Sequence, residues 1–113
     1  MDCLFCKIAA GEIPSDKVYE DEYVYAFNDI EPAAPVHVLV IPKKHIQSVS
    51  HIEDADAEII GNIFLAIKKI AAKLGIAKDG YRVVTNMGEN AGQTVPHLHF
   101  HVLGKRSLQW PPG

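Results

Sequence analysis

The segment His97-Leu98-His99-Phe100-His101-Val102-Leu103 places three histidines at alternate positions near the end of this 113-residue chain. In a β-strand, successive side chains point to opposite faces of the sheet. A strand over 97–103 therefore puts the three imidazoles on one face and the apolar side chains on the other, where they can be buried. Histidine changes charge near neutral pH and serves as nucleophile, acid, base or metal ligand, so this face predicts a chemical site.

Two kinds of site fit this spacing. Alternate histidines on a strand can converge on zinc, or one imidazole can attack a substrate while its neighbours supply protons and charge. The preceding loop, Asn90–Pro96, contains Gly92, Gln93 and Thr94. Backbone N–H groups at such a turn, together with a threonine hydroxyl, can form an anion-binding concavity. An anion cradle beside a nucleophilic histidine favours phosphoryl transfer.

The rest of the chain predicts one α+β domain over residues 1–113. Apolar residues spaced by three and four from about Asp54 to Leu74 predict an amphipathic helix, and the compact segment Cys3–Ala10 predicts a short one before a glycine. Strands are predicted at Lys17–Glu20, Tyr23–Asn28, His37–Ile41, Tyr81–Asn86 and His97–Leu103. Because they follow one another in hairpin-like succession with one helix inserted, we expect a mostly antiparallel sheet of about five strands.

Composition limits the partners of the chain. The formal net charge is −3 and 48% of the residues are hydrophobic, so we expect no long-range attraction to nucleic acid or to an anionic membrane. No apolar run approaches the roughly 20 residues that span a bilayer, and the N-terminus lacks the pattern of a signal peptide. We therefore expect a cytoplasmic protein, in which a Cys3–Cys6 disulfide would not persist.

Several segments carry a family resemblance when taken with the alternate histidines. They are Phe27–Ile30, Ala34–His45, Gly92–Pro96 and the ending Trp110–Gly113. With them the chain resembles the histidine triad (HIT) superfamily over essentially its whole length, and within it the HINT-like nucleotide-binding branch. The resemblance implies the HIT-like fold, with the sheet, the long helix and the short N-terminal helix described above.

The resemblance also implies an activity, that of a hydrolase cleaving the P–N bond of purine nucleoside 5′-phosphoramidates. In this family the middle histidine, here His99, attacks the α-phosphate to form a nucleotidyl-histidine, and water then releases the nucleoside monophosphate. His101 would bond the phosphate and share in proton delivery, while His37 would support the triad and Thr94 would add a hydroxyl. No metal is required for this chemistry, because covalent catalysis divides the displacement into two steps.

Nucleotide-binding residues follow from the same resemblance. Asp29 would accept hydrogen bonds from both ribose hydroxyls, and Asn86 would reach the ribose or phosphate side. The other residues implied are Gly92, Gln93 and Thr94 near the phosphate and Phe5, Ile13, Phe27, Ile30 and Leu39 around the base. Without the resemblance, Asp29 is a turn residue and the apolar residues are core.

Cys3 and Cys6 form a second motif. Paired cysteines in a reducing compartment indicate metal or redox chemistry, although two thiols on one helical turn can simply be buried. Zinc takes about four ligands, commonly cysteine and histidine. Zinc-bearing HIT relatives use such a set, which His45 and His97 would complete here, leaving His99 and His101 free for the reaction.

Two further expectations concern assembly and alternative functions. Similar proteins are homodimers with the two sheets joined edge to edge and a helix packed at the interface, and the Trp110–Gly113 tail reaches towards the partner's site. One alternative function is a nucleotide-binding interaction module with vestigial activity. Another is a metalloprotein whose three histidines bind zinc directly.

Overall fold

The computed structural model describes residues 3–113, and it confirms the predicted α+β class. Its five strands form one antiparallel sheet in the order β1-β2-β3-β5-β4. Single 3-10 turns lie at Val49–His51 and Asp54–Asp56. The elements are α1 Leu4–Ala9, β1 Lys17–Glu20, β2 Val24–Asn28, β3 Val36–Pro42, α2 Ala57–Lys73, β4 Tyr81–Val84 and β5 Phe100–Gly104.

Both helices begin at polar caps. The Cys3 sulfur caps α1 by accepting a hydrogen bond from the Cys6 backbone N–H at 3.3 Å. Glu53 and Asp56 form a capping box ahead of α2, which satisfies backbone donors that a helix start leaves free. At 17 residues α2 is the longest helix of residues 3–113, and no helix in that range is long and apolar enough to cross a membrane.

The two faces of the sheet have different coverings. Alternate side chains of β2 and β3, such as Val24, Ala26 and Val40, pack with α2, while the intervening Phe27 and Leu39 pack with α1. β3 is therefore buried on both faces, which explains its continuous apolar sequence from Val38 to Pro42. By the same alternation, and by the pairing of Leu39 with His101, the side chains of His37 and His101 lie on the α1 face.

The last strand begins later than the alternating histidines predict. The expectation of a strand from His97 was wrong, because β5 starts at Phe100. Before that residue the backbone bonds elsewhere: the Leu98 N–H donates to the Ile46 carbonyl at 2.6 Å, and the Thr85 hydroxyl donates to the His99 carbonyl at 2.8 Å. His97 therefore lies outside the strand ladder, and its side chain is not constrained to the same face as that of His101.

Candidate functional site

A cavity of about 530 Å³ opens on the α1 face of the sheet. Apolar side chains from α1, β2 and β3 form much of its wall, and His99 and His101 contribute two imidazoles. Of the residues predicted to bind a nucleotide, the cavity is lined by Phe5, Ile13, Phe27, Asp29, Ile30, Leu39, Thr94, His99 and His101. One cavity thus collects apolar, acidic, hydroxyl and imidazole groups from distant parts of the chain.

His99 is held in one tautomer. Its Nδ1 lies 2.7 Å from the His97 carbonyl oxygen, which can only accept, so Nδ1 carries the proton, and in the neutral tautomer Nε2 has the lone pair. His99 is 7% exposed, and its ring contacts the ring of Phe5 at a centroid distance of 5.1 Å. His99 is therefore held in one orientation in the cavity wall, with Nδ1 on the His97 carbonyl and Nε2 as its other ring nitrogen.

His37 and His101 are held in complementary tautomers. The Ala33 backbone N–H donates to His37 Nδ1 at 3.0 Å, so a neutral His37 carries its proton on Nε2. That nitrogen lies 2.9 Å from His101 Nδ1, which must accept, leaving the His101 proton on Nε2. Burial lowers the pKa of His37 and, aided by repulsion from His99 and His37, lowers the pKa of His101 to about 4. Both rings are thus neutral at pH 7, and His101 can donate from Nε2.

Asp29 follows directly after β2 and lines the same cavity. Its Oδ1 accepts the Glu31 backbone N–H at 2.8 Å, and its Oδ2 lies 3.4 Å from His37 Nε2. Its own N–H donates to the His37 carbonyl at 2.9 Å. The carboxylate is therefore anchored beside the histidines, and its oxygens retain lone pairs for further donors.

The loop before β5 contributes less than the sequence predicts. Thr94 lines the cavity, whereas Asn86, Gly92 and Gln93 are not among its lining residues. The Gln93 side chain instead holds the loop together: it accepts from the Gly88 N–H at 3.1 Å and donates to the Gln47 carbonyl at 2.9 Å. Its observed contacts are thus with the protein backbone.

Some cavity residues were not expected from the sequence. Asp16 and Asn28 are examples, joined by a hydrogen bond of 2.8 Å from Asn28 Nδ2 to Asp16 Oδ2. The pairing of Lys17 with Phe27 brings these residues together, so the predicted β1–β2 hairpin contained the signal. The remaining lining residues of this kind are Leu4, Ile8, Pro14, Ser15, Glu31 and Val95.

Cys3, Cys6, His45 and His97 form a compact group that could hold a metal ion, with ligand atoms within 4.8 Å of one another. His97 Nδ1 lies 3.2 Å from Cys3 Sγ, 3.5 Å from Cys6 Sγ and 3.3 Å from His45 Nδ1. Tetrahedral zinc with bonds of about 2.3 Å to sulfur and 2.0–2.1 Å to nitrogen would separate its ligands by roughly 3.3–3.8 Å. The donor types and spacings therefore fit zinc.

The surroundings of this group also suit a metal site. His97 Nε2 lies 3.0 Å from the Pro42 carbonyl oxygen, to which it donates, so its Nδ1 lone pair faces the sulfurs. Such an outer hydrogen bond orients a ligating histidine. Burial, reinforced by Cys3, raises the pKa of the Cys6 thiol to about 11, so metal binding there would displace a proton.

The comparison with known families accounts for most of the chain. The sequence model of the HIT domain family matches residues 10–108 of this chain. The chain belongs to the HIT family. An uncharacterized HIT-like protein of Synechococcus elongatus is 51% identical over 115 residues, covering 99% of this chain and 97% of that protein.

Solved HIT structures share the fold. The HIT family hydrolase of Legionella pneumophila Philadelphia 1 is 50% identical, with a TM-score of 0.97, and the match covers 99% of this chain and 100% of that one. The histidine triad nucleotide-binding protein of Candida albicans is 37% identical, with a TM-score of 0.85, covering 97% and 83% respectively. The cavity described above therefore lies in a fold that this chain shares with solved HIT structures.

Proposed function

We propose that this HIT protein hydrolyses purine nucleoside 5′-phosphoramidates through a nucleotidyl-histidine on His99. One observation carries the proposal: the His97 carbonyl holds the proton of His99 on Nδ1, which leaves a nucleophilic Nε2 on a ring that lines the cavity. An imidazole needs no deprotonation to attack in this tautomer. The hydrolase from L. pneumophila, similar along its whole length, supports the reaction class.

The proposed reaction has two balanced steps. In the first, His99 Nε2 bonds to phosphorus, the P–N bond breaks, and the amine leaves with its electron pair and a proton from water. In the second, the oxygen of that water bonds to phosphorus, and the N–P electron pair returns to His99. His101 donates Nε2–H to a phosphoryl oxygen in both steps, and the His97 carbonyl stabilises the ring while it is a cation.

We infer the placement of the proposed substrate from the positions of the strands. The phosphate lies at His99 and His101, next to β3, and the ribose hydroxyls lie at Asp29, beyond the end of β2. The base occupies the apolar part of the cavity between α1 and the sheet, where Phe5 and Phe27 pack edge to face at 5.5 Å. The nucleotide-binding relative from C. albicans supports this ligand class.

We also propose that zinc occupies the group formed by Cys3, Cys6, His45 and His97. When bound, zinc would cross-link the start of α1 to the segments that carry His45 and His97. The chemistry at phosphorus is carried by the other histidines. A site that depends on reduced thiols is consistent with the cytoplasmic location that we propose.

Incubation with adenosine or guanosine phosphoramidate tests the function. We expect stoichiometric release of the nucleoside monophosphate and the amine, and a rapid alkaline quench, which preserves the acid-labile bond between imidazole and phosphorus, should trap the nucleotide on His99. Binding without release would leave the nucleotide-binding interaction module as the function. Failure of the chain to bind either nucleotide would contradict both.

Replacing Asp29 should weaken ribose recognition. We expect Asp29→Ala to raise KM for a ribonucleoside phosphoramidate roughly tenfold and to bring the 2′-deoxy substrate level with it, because one or two hydrogen bonds are lost. Asp29→Asn keeps an acceptor for the Glu31 N–H and should fall in between. Glu12→Ala removes one negative charge from an exposed residue that does not line the cavity and serves as the control. An unchanged ribose preference in Asp29→Ala would rule out this role.

We propose a homodimer in which the β4 edges of two sheets meet. The opposite edge, β1, is protected, since the Lys73 ammonium donates to the Val18 carbonyl at 2.7 Å and Glu20 pairs with Lys43 at 2.7 Å. On α2, Phe64 and Leu65 are 49% and 57% exposed, and the ring of Phe64 lies 5.5 Å from that of Phe100 in β5, the strand that pairs with β4. Trp110, 80% exposed, is then available to reach towards the partner's site.

Sedimentation measurements test this assembly. Leu65→Glu should shift the mass from dimer to monomer, because it places a charge in the proposed apolar contact. Lys69→Glu changes an exposed residue of the same helix and should remain dimeric. A wild-type protein that sediments as a monomer at micromolar concentration would refute the homodimer.

A further inference from the structure

Arg106 connects the end of the sheet to the loop that orients His37. Its Nε donates to the Ala33 carbonyl at 2.9 Å, and its guanidinium also donates to the Ser107 carbonyl at 3.0 Å. Ala33 is the residue whose N–H donates to His37 Nδ1 at 3.0 Å. One residue of the loop therefore receives Arg106 on its carbonyl side and holds His37 on its amide side.

Different hydrogen bonds hold the two halves of this loop, residues 29–35. Pro32 and Pro35 lack backbone N–H groups. Its first half is held by the Asp29 N–H, which donates to the His37 carbonyl at 2.9 Å, and by the Glu31 N–H on Asp29. In the half that contains Ala33, this residue bonds to His37 and Arg106, and the side chain of Ala34 is buried. Removing the Arg106 guanidinium should therefore make the position of Ala33, and with it the hydrogen bond to His37 Nδ1, less fixed.

The backbone before Arg106 has an unusual conformation. Val36 pairs with Gly104, so the start of β3 and the end of β5 are neighbours. Immediately after Gly104, Lys105 has a φ of 64°, a left-handed conformation that is sterically unfavourable for a residue with a Cβ. The strained residue lies in the turn that brings Arg106 to Ala33.

We propose that Arg106 is a positioning residue, which keeps His37 and His101 in their donor tautomers by holding Ala33. If the Ala33 N–H moves away, His37 can carry its proton on Nδ1 and accept on Nε2. His101 would then place its proton on Nδ1, and a lone pair on its Nε2 would face the phosphoryl group. The consequence for turnover rests on the proposed function, whereas the tautomers themselves do not.

Nitrogen-15 spectra of the imidazoles test the tautomers in the absence of substrate. In the wild type we expect protonated Nε2 and unprotonated Nδ1 for His37 and His101. Arg106→Ala should give averaged or reversed shifts for both rings, while His99 keeps its Nδ1–H. Arg106→Lys, which can still donate one bond to the Ala33 carbonyl, should restore much of the wild-type pattern.

Lys105→Gly is the matched control. It removes the neighbouring positive charge and suits a φ of 64°, so the imidazole shifts should remain those of the wild type. Wild-type tautomers in folded Arg106→Ala would overturn the proposal. Changed tautomers in Lys105→Gly to the same extent would also overturn it, because the effect would then follow charge or loop stability.

Kinetics supply a second readout. With a nucleoside phosphoramidate, Arg106→Ala should lower kcat roughly tenfold, as expected for one misplaced hydrogen-bond donor, and leave KM within about twofold. A tautomer change without any turnover in the wild type would refute the phosphoramidase function and leave the role of Arg106 standing. Turnover at the wild-type rate with altered tautomers would refute its importance for the reaction.

Discussion

His99→Ala is expected to abolish covalent trapping of the nucleotide and to lower kcat/KM for nucleoside phosphoramidates by roughly 10⁴-fold or more, the effect of deleting a nucleophile. The reason is geometric. His99 has its Nδ1 bonded to the His97 carbonyl at 2.7 Å, and His101 is already committed through Nδ1 to His37. Neither His101 nor His37 offers an equivalent unprotonated nitrogen, because Nδ1 of each ring already accepts a hydrogen bond. Single-turnover labelling followed by mass spectrometry measures the adduct directly.

The matching control is His51→Ala. His51 is exposed and lies in the 3-10 turn before α2, bonded to Ser48 at 2.6 Å, so its removal should leave trapping unchanged. Affinity for the nucleoside monophosphate should stay within about threefold in His99→Ala, because the apolar wall and Asp29 remain. Persistent labelling of His99→Ala on another residue would show that the attacking group lies elsewhere.

Metal removal should have the largest effect on stability. A metal bound only by the folded state, at a thousandfold excess over its dissociation constant, contributes about 4 kcal/mol. For a chain of this size we therefore expect a strong chelator, or Cys3→Ala, to lower Tm by about 10–20 °C. Elemental analysis should find close to one zinc per chain in the wild type and little in the variant.

Two histidine variants distinguish the metal site from the reacting site. His45→Ala should lose zinc as Cys3→Ala does, whereas His99→Ala should retain it, since the ring of His99 is absent from the cluster. Zinc that disappears in His99→Ala and persists in Cys3→Ala would instead support a metalloprotein whose three histidines bind the ion. Calorimetry of the same samples checks that the loss of Tm follows the loss of metal.

Local patterns were sufficient for most of the fold. Spacings of three and four predicted α2, because one stripe of its surface packs on the sheet, and β1 was predicted at its observed bounds. The boundary errors lie at the ends of elements. Asp54–Asp56 forms a 3-10 turn rather than the first turn of α2, and β4 ends at Val84 rather than Asn86.

Motif resemblance pointed to a metal set and a reacting histidine, and the structure groups the metal set around His97. It did not indicate the Ala33 N–H that orients His37, nor Arg106 behind it. These contacts join residues 4 and 73 positions apart. A backbone N–H is present at almost every residue, so no letter of the sequence marks the one that is used.

The residue types and their periodicity are local properties, and they were enough to define the helices, the strands and the imidazoles available for chemistry. Which nitrogen of each imidazole carries the proton depends on partners brought close by strand pairing and loop closure. Remote partners also explain why His97 lies with the two cysteines, whereas His101 lies beside His37. Because those partners are remote along the chain, only the packed sheet brings them within hydrogen-bond distance.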